Sequence, residues 1–374
     1  MLRTTALLLT LGTISAPLSL AAQGQGLYTN FGGVSGWETR VYNFDPGIGT
    51  KSVSQWLVPI VAVVPISGPL SLDLTTNYAS ERLETYAGDV ETLSGFTDTE
   101  LRLLYSLSPG RLVGSVSFNL PTGQGSIPTS QFGVAGAIGS NYLSFPVPNP
   151  GTSFGLTTGL AYAQHAGAWN LGLSGSVRYL SKYSPFSDDT LSYTPGIEAR
   201  VRAGMDRLLG EHARVLLGFT VSTFSTDNYS GSNALVTGSY APGTRFISDA
   251  TFLRVIGRCT LTAVAWDLYR LVGSGPSGPI PETKENVLDG ELHFTVPTSP
   301  RFQLEPMVGY RQWNPADYSG GRTESAGLTL RAGLADRLAL TAAGRYDTGW
   351  IFDTATGRAN LTGYEVSLFL RVGQ

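Results

Sequence analysis

The sequence has few residues of the kinds that stabilise or anchor many exported proteins. Among 374 residues there is one cysteine, Cys259, which excludes a framework of internal disulfides. After the first 22 residues, no apolar run approaches the ~18 to 20 residues that a membrane-spanning helix requires. The longest candidate, residues 56–66, is short and contains Pro59 and Pro65. A disulfide-rich domain and a helical membrane domain are therefore excluded.

Charge is also scarce, and it is nearly balanced. Only 14% of the residues are Asp, Glu, Lys or Arg, and the formal net charge is −3. No basic stripe is available to bind a phosphate backbone, and no run of like charges forms a polyionic tail. Nucleic-acid binding is therefore excluded as a function.

Turn and strand formers are abundant instead. The chain has 46 glycines, 21 prolines and 10% aromatic residues. Because glycine and proline interrupt helices while aromatic and β-branched residues favour strands, this composition predicts an all-β protein.

The first 22 residues have the layout of a secretory signal. Arg3 precedes an apolar centre from Ala6 to Leu20, and small residues follow at the positions that a signal peptidase reads. Cleavage after Ala21 or Ala22 would release an exported chain. The sequence thus predicts a signal peptide over 1–22, a short periplasmic segment over 23–36 and a strand-rich domain over 37–374.

Apolar and polar residues alternate along most of the exported chain, and turn residues separate the alternating segments. A period of two predicts strands. Sixteen strands fit this pattern best, with fourteen as the alternative. The predicted strands are residues 37–43, 53–64, 70–78, 99–107, 112–120, 153–164, 169–180, 194–206, 213–222, 246–256, 260–268, 289–296, 302–312, 325–334, 338–347 and 362–372.

The links between these strands alternate in length. Tight turns begin near Ser67, Ser108 and Ala166, whereas the intervening links are mostly long, and the longest covers residues 121–151. Short periplasmic turns and long extracellular loops are typical of outer-membrane barrels. The pattern therefore predicts a transmembrane antiparallel up-and-down β-barrel in the outer membrane of a diderm, Gram-negative bacterium, with outer-membrane lipid around it.

The stretch GIEARVRAGMDR, residues 196–207, shows how the two faces of a strand differ. From Ile197 to Met205 the odd-numbered residues are apolar, whereas Glu198, Arg200 and Arg202 share the other face. In a water-soluble sheet the ionic face would meet solvent, and in a membrane barrel it would face the lumen. A charge on the lipid side costs about 2–4 kcal/mol near the midplane, so a barrel places these residues inside.

The same division holds in the other predicted strands, and only Arg254 breaks it, which a bulge would explain. Such a lining can brace the wall through ion pairs, or it can guide ions if Arg200 and Arg202 face acids such as Glu100 or Glu305 across the pore. The charged face comprises Glu38, Arg40, Asp73, Glu100, Arg102, Arg178, Glu198, Arg200, Arg202, Arg214, Asp249, Asp267, Asp289, Glu291, Glu305, Arg311, Arg331, Arg345, Asp347, Glu365 and Arg371. The candidate lumen-lining residues from this set are Glu100, Arg102, Arg178, Glu198, Arg200, Arg202, Glu305, Arg311, Arg331 and Arg345.

A secreted β-sandwich or propeller would also have alternating strands. It would need a second hydrophobic layer to cover every apolar face, and the sequence shows neither a blade-like repeat nor the Cys-Trp-Cys spacing of immunoglobulin domains. The barrel therefore remains the preferred architecture.

Residues that could support enzymatic chemistry are few. Of the three histidines, His165 and His212 fall in predicted turns, and His293 lies in a strand beside Glu291 without a recognisable nucleophile motif. The SDD triplet at 187–189 places two carboxylates in a loop, where they suit a cation, an acid protease site or simple solvation. No metal-ligand spacing is present. The sequence predicts no enzyme activity, no cofactor and no metal site.

The stretch LVGSVSFNLPTGQG, residues 112–125, is a strand that enters Leu-Pro-Thr-Gly and then a long loop. It resembles the outer-membrane transporter group that includes the meta-pathway phenol-degradation proteins and, more distantly, the long-chain fatty acid transporters. The resemblance covers this motif and the architecture. It implies a β-barrel that passes small hydrophobic or aromatic molecules.

Two functions follow as expectations. The first is a channel or transporter that passes small solutes through a lumen lined by Arg and Asp/Glu. The second is a structural or surface-interaction barrel with an occluded lumen that acts through its long extracellular loops. The alternating segment from Tyr364 to Val372 is a signal for the barrel-insertion machinery, although Gln374 replaces the usual terminal Phe. A monomer and a porin-like homo-oligomer both remain open.

Overall fold

The computed structural model describes residues 31–231, 237–275, 284–315, 319–353 and 357–373, and 73% of the structure is in strands. Consecutive long strands pair antiparallel, and the first pairs with the last, which closes the sheet. The result is a closed barrel of sixteen antiparallel strands, so the predicted fold is confirmed. The predicted signal peptide, residues 1–22, lies outside the described residues.

Each predicted strand has a counterpart in the wall. β4 and β5 both pair with β3 and form one wall strand that is interrupted at Thr97 and Asp98. The wall contains β1 (Gly32–Phe44), β2 (Thr50–Ser67), β3 (Leu70–Thr85), β4 (Val90–Phe96), β5 (Thr99–Ser108), β6 (Leu112–Leu120), β7 (Gly155–Ala166), β8 (Trp169–Leu180), β10 (Glu198–Leu209), β11 (Ala213–Phe224), β14 (Arg245–Ile256), β15 (Cys259–Arg270), β16 (Glu285–Ser299), β17 (Phe302–Pro315), β18 (Gly320–Ala335), β19 (Leu338–Asp353) and β20 (Gly357–Val372).

Several of these elements exceed or add to the predictions. β1 begins at Gly32, before the predicted start at Trp37, and most other strands continue past their predicted ends. β9 (Ser192–Thr194), β12 (Asp227–Ser230) and β13 (Gly238–Tyr240) form a separate small sheet. A 3₁₀ turn (Thr129–Gln131) leads into the helix α1 (Phe132–Gly139). No helix in the described part of the chain is long and apolar enough to cross a membrane.

The seven tight turns lie at one end of the barrel, called the turn end here, and the long links lie at the other, the loop end. The turns follow β2, β5, β7, β10, β14, β16 and β18, as the link lengths predicted. Successive strands run in opposite directions, and short and long links alternate along the chain. All the short links therefore lie at the same end of the barrel.

The outward face of the wall is apolar. Tyr364, Val366, Leu368, Leu370 and Val372 of β20 each keep 41–47% of their surface exposed. These even-numbered residues alternate with residues that point inward, because successive side chains of a strand point to opposite faces of the sheet. Because a soluble protein rarely exposes such a continuous apolar surface, this band is suited to lipid.

Aromatic residues mark both borders of the apolar band. Near the loop end, the outward rings of Trp56, Tyr78 and Phe96 form a row with centroid distances of 5.5 and 5.4 Å. Near the turn end, the Arg207 guanidinium lies 5.3 Å from the ring centroid of Trp169. Amphipathic aromatic rings at these two levels correspond to the girdles of a membrane barrel.

One face assignment from the sequence is wrong, and the bulge suggested at Arg254 is not formed. Asp267 pairs with Ser248 and Leu288, so it lies on the outward face, where the Asn286 amide donates to it at 2.6 Å. Arg254 needs no bulge, because its pairing with Ala213 and Leu261 shows unshifted register on the outward face close to the turn end. Both residues lie near a border of the apolar band and not at its middle.

Candidate functional site

Residues 121–151, called the plug here, fold into the barrel. Val147 contacts Gln55 of β2, Asn141 contacts Arg311 of β17, and the Tyr142 hydroxyl donates to the Trp350 carbonyl of β19 at 2.8 Å. A single segment that meets side chains and backbone from these separate parts of the wall must lie on its concave side. The longest predicted extracellular loop is therefore an internal element.

The two ends of the plug are tied together by Asp98, between β4 and β5. Its carboxylate accepts hydrogen bonds from the backbone N–H groups of Gly123 and Thr152 at 3.1 and 2.7 Å. It also accepts from the Thr152 hydroxyl and the Asn119 amide, both at 2.8 Å. One carboxylate thus holds the entry and the exit of the plug, an arrangement called the neck here.

The glycines of the LPTGQG motif permit this neck. A Cβ on Gly123 would overlap the carbonyl oxygen of Pro150, and one on Gly125 would overlap the carbonyl oxygen of Thr152. The two strands of the neck approach so closely that only glycine fits at these positions. The motif that suggested a transporter resemblance therefore has a direct structural role in this chain.

The neck gives a testable prediction. Replacing Asp98 with Ala removes four hydrogen bonds to a carboxylate, and such bonds contribute about 1.5–3 kcal/mol each when the partners are left unpaired. We expect the folded barrel to persist while the plug becomes sensitive to limited proteolysis. Asp189→Ala, in another loop, is the matched control. Equal resistance of Asp98→Ala and wild type would contradict the role of the neck.

The body of the plug forms a hydrophobic core with the inward face of the loop-end wall. Val134, Ile138 and Tyr142 are at most 1% exposed. The Tyr42 and Phe145 rings meet edge to face with centroids 5.4 Å apart. The cluster comprises Tyr42, Phe44, Val53, Leu83, Leu93, Ile127, Val134, Ile138, Tyr142, Leu143, Phe145, Ala359 and Leu361.

Polar inward side chains fasten the distal part of the plug, residues 140–147, and this set of bonds is called the latch here. Gln55 binds the backbone of Val147 twice, at 2.7 and 3.1 Å. Arg311 donates to the carbonyl of Asn141 at 2.5 Å, and Arg40 donates to that of Ser144. The latch therefore uses wall residues from β1, β2 and β17 to hold backbone groups that would otherwise be unsatisfied.

Most of the inward charges form ion pairs, mainly with close neighbours. Arg202 binds Asp249 through two hydrogen bonds of 2.6 and 2.9 Å. Arg345 reaches from β19 to Glu291 on β16 at 2.8 Å. Contact between strands that are not neighbours requires the concave face, so these groups point inward. Other pairs are Arg102 with Asp73, Arg200 with Glu198, Arg311 with Asp289 and Arg331 with Glu305.

The remaining candidate lining residues occupy the same inward face by register. Arg178 is opposite Glu198 and Thr157, and Glu100 is opposite Thr75 and Asn119. Arg200 pairs with Glu198 of its own strand, and Arg202 pairs with Asp249 of β14. The opposition of Arg200 and Arg202 to Glu100 or Glu305 across the lumen stays a prediction. That these residues line a conducting passage stays a prediction.

His293 lies between two carboxylates. One ring nitrogen is 3.0 Å from Glu291, and the other is 3.3 Å from Glu305. Glu305 also receives Arg331 at 3.1 Å, and Glu291 receives Arg345. This arrangement braces β16, β17, β18 and β19 and leaves the imidazole engaged on both sides.

The middle of the inward face of β6, β7 and β8 differs from the charged wall, because the side chains there are small. Ser117 pairs with Arg102 and with Thr157, which fixes the inward direction of this register. A wall of small side chains does not fill the space before it. The inward positions of this small-residue wall are Ser115, Ser117, Thr157, Gly159, Ala161, Ala163, Gly172, Ser174 and Ser176.

An apolar strip runs down the inward face of β2. Leu57 packs with Ala79 and with Val147 of the plug. Below it, toward the turn end, Pro59, Val61 and Val63 continue the strip. Beside it, on β20, Phe369 pairs with Gly36 of β1. The strip connects the hydrophobic core of the plug to the turn end.

The residues considered for enzymatic chemistry have structural partners. Asp188 of the SDD triplet accepts from the Thr129 backbone N–H and hydroxyl, both at 2.8 Å, and joins two loops. These bonds, first that from the hydroxyl, hold the pKa of Asp188 below its usual value. His165 pairs with Asn170 at 2.9 Å. In the described ranges, no group of three or more His, Cys, Asp or Glu side chains is arranged to hold a metal ion.

Comparisons with known proteins yield only distant structural likenesses. No family model matches the chain, and no curated protein matches it. Solved structures similar to it include OmpTdeltaL8, a loop deletion mutant of an outer membrane protein of Vibrio cholerae, at 13% identity and a TM-score of 0.44, covering 91% of this chain and 99% of that one.

Two further solved structures are similar to this chain, a FadL homologue and a hydrocarbon channel. A Pseudomonas aeruginosa FadL homologue has 9% identity and a TM-score of 0.47, over 92% of this chain and 90% of its own. A deletion mutant of the TodX monoaromatic hydrocarbon channel has 8% identity and a TM-score of 0.47, over 96% and 93%. The resemblance to meta-pathway phenol-degradation proteins is not confirmed by these matches.

Proposed function

We propose that the barrel spans the bacterial outer membrane and passes small solutes through its lumen. The observation that supports this most directly is the one-sided position of the plug. The latch and the hydrophobic core join the plug to an arc of wall from β16 through β1 to β4. The small-residue wall of β6 to β8 lies outside that arc, and on its side the plug meets the loop after β8, where Asp188 accepts from the Thr129 N–H. We propose that a solute passes between the small-residue wall and the plug.

The membrane location rests on the outward face. A continuous apolar band with aromatic rings at both borders is the surface that a lipid bilayer solvates best. Most inward charges are paired, and a closed barrel has no free sheet edge, so the backbone needs no partner from the lipid. These features support insertion and give no information about solute identity.

The lining supports solutes that have an apolar or aromatic part. The apolar strip of β2 offers contact to a ring or alkyl group, and it continues to the turn end. Ion-paired residues such as Arg345 and Glu291 offer hydrogen bonds on another side of the lumen. A small aromatic compound with a polar substituent fits both surfaces better than a fully apolar molecule does.

The second candidate is a structural or surface-interaction barrel with an occluded lumen. The strength of the latch favours it, because Gln55, Arg40 and Arg311 all fasten the plug. In that case the long loops, and not the lumen, would contact partners. Solute flux distinguishes the two candidates, since an occluded barrel passes nothing.

A liposome swelling series tests the proposed function. Proteoliposomes would be diluted into isotonic solutions of sugars, amino acids and aromatic acids, with protein-free liposomes as the control. We expect measurable swelling, faster with aromatic acids than with sugars of similar mass. No swelling with any solute would favour the occluded barrel.

The orientation of the barrel gives a second prediction. Ser130 is an exposed residue of the plug at the loop end, next to Thr129, which bonds Asp188 of another loop, whereas Ser108 ends β5 at a tight turn. We expect Ser130→Cys to react with an impermeant maleimide on whole cells, whereas Ser108→Cys and the native Cys259 should stay unlabelled. Labelling at position 108 on intact cells would show that the orientation is reversed.

Ion selectivity gives a third prediction. Because inward arginines and carboxylates form neighbouring pairs, their fields largely cancel, and we expect a small reversal potential in a salt gradient. Arg202→Gln leaves Asp249 without its bidentate partner and should shift selectivity toward cations. Val201→Leu on the outward face is the control. Strong selectivity of the wild type would contradict the balanced lining.

A further inference from the structure

Arginines encircle the turn end of the barrel. Arg111, Arg258, Arg301 and Arg337 lie in four of the tight turns, whereas Glu211 and Asp336 are the acids found in the described turns. Two more arginines, at positions 207 and 254, lie on the outward wall close to the same end. This turn end therefore carries a clear excess of positive charge although the whole chain has a net charge of −3.

These rim arginines differ from the inward ones in their partners. Inward arginines such as Arg202 and Arg345 bind carboxylates at 2.6–2.8 Å. Over the described ranges, none of the six arginines of the turn end forms an ion pair with a carboxylate of this chain. A group of unpaired like charges on one edge is repulsive and is stabilised by an external anion.

Exposed apolar side chains accompany the arginines on the outward side. Ile256 is next but one to Arg258, Phe302 follows Arg301, and Leu334 lies three residues before Arg337. Each of these apolar side chains is more than a third exposed. An apolar residue that enters the acyl region below a cation at the headgroup level is the pattern of a membrane–water interface.

We propose that this basic rim binds the headgroups of anionic phospholipids in the periplasmic leaflet. The inference rests on the proposed membrane location. The rim arginines belong to turns and strands from β5 to β19, so they encircle much of the barrel and do not form one patch for a protein partner. The tight turns also keep each guanidinium close to the apolar band, at the depth of lipid phosphates.

Lipid enrichment tests the rim. The full-length mature protein would be reconstituted in vesicles of phosphatidylcholine with a minor fraction of phosphatidylglycerol, extracted mildly, and its retained lipids quantified by mass spectrometry. We expect about fivefold enrichment of phosphatidylglycerol, the ratio that one cation near an anionic surface provides. The variant Arg258→Gln/Arg301→Gln/Arg337→Gln should lose most of that enrichment.

A matched control separates the rim from charge in general. Lys51→Gln/Arg82→Gln/Arg322→Gln removes three cations that are at least half exposed at the loop end and are near Glu84 or Glu324. This variant should keep the enrichment. Equal loss in both variants, or no enrichment in the wild type, would overturn the proposal.

Two additional readouts identify other outcomes. If the rim variant loses binding to peptidoglycan sacculi while wild-type lipid retention matches the bulk composition, the rim recognises an anionic polymer and the lipid proposal is wrong. Solute flux would be measured on the same vesicles. If phosphatidylglycerol is enriched but no solute flux is measured, the lipid-binding role of the basic rim stands and the proposed function is wrong.

Discussion

Val201→Arg should prevent stable insertion of the barrel. Val201 lies outward at the middle of β10, opposite Val221 and Gly175, and it is 54% exposed. A guanidinium at this depth costs about 2–4 kcal/mol in lipid, which is a large fraction of the 5–15 kcal/mol that stabilises a typical fold. The measurement is the heat-dependent mobility shift of the folded barrel on a gel, together with its yield in the outer membrane.

A control on the neighbouring strand tests the assignment of faces. Ser176 of β8 pairs with Arg200 and therefore lies on the inward face. Ser176→Arg places the same charge before the small-residue wall, where water solvates it, and we expect nearly normal folding. Val201→Leu should also fold normally. If Ser176→Arg failed and Val201→Arg were tolerated, the inward and outward faces would be reversed.

Removing the body of the plug should raise conductance several-fold. Residues 129–148 can be replaced by a short Gly-Ser linker, because Gly123 and Pro150 are already in contact at the neck. Sixteen strands enclose a lumen wide enough for an aqueous path once the internal segment is gone. Single-channel recording in a planar bilayer would measure the change, and retained heat-modifiability would show that the barrel is intact.

A smaller change at the latch should have an intermediate effect. Gln55→Met keeps the side-chain length but removes both hydrogen bonds to Val147. We expect Gln55→Met to reach larger conductance levels only briefly, whereas the deletion should stay at a larger level throughout. Identical conductance of wild type, Gln55→Met and the deletion would show that the plug does not limit flow.

The barrel could be predicted because its signals are local and repeated. Alternation along β20 and the position of tight turns such as the one after Ser108 each follow from neighbouring residues. Closing the sheet into a barrel needs no further signal in the sequence, because with an even number of antiparallel strands the last strand can pair antiparallel with the first. The strand ends were less predictable because several strands extend beyond the apolar band.

The plug could not be predicted, because its position depends on distant wall residues. The helix α1 has the sequence FGVAGAIG, in which glycines weaken any helical propensity. It forms where Val134 and Ile138 meet the inward apolar wall and where Glu91 accepts from the Val134 backbone N–H at 2.8 Å. The only signal in the sequence was an unusually apolar composition for a solvated loop.

The error at Asp267 has a similar origin. The sequence predicts an inward Asp267 because a charge marks the polar face in the middle of a strand. Near the loop end both faces become polar, and Trp266 takes the inward position beside Arg311, whose guanidinium lies 5.0 Å from its ring centroid. Partners of inward arginines were also unpredictable, since they depend on register between strands.

The intact, unmodified protein in a planar bilayer gives the most direct test of a channel with a one-sided plug. The account predicts stepwise single-channel conductance with weak ion selectivity, smaller than that of the plug deletion recorded under the same conditions. If the correctly folded wild type and the correctly folded deletion were both silent, the barrel would not be a channel, and the structural candidate would replace it.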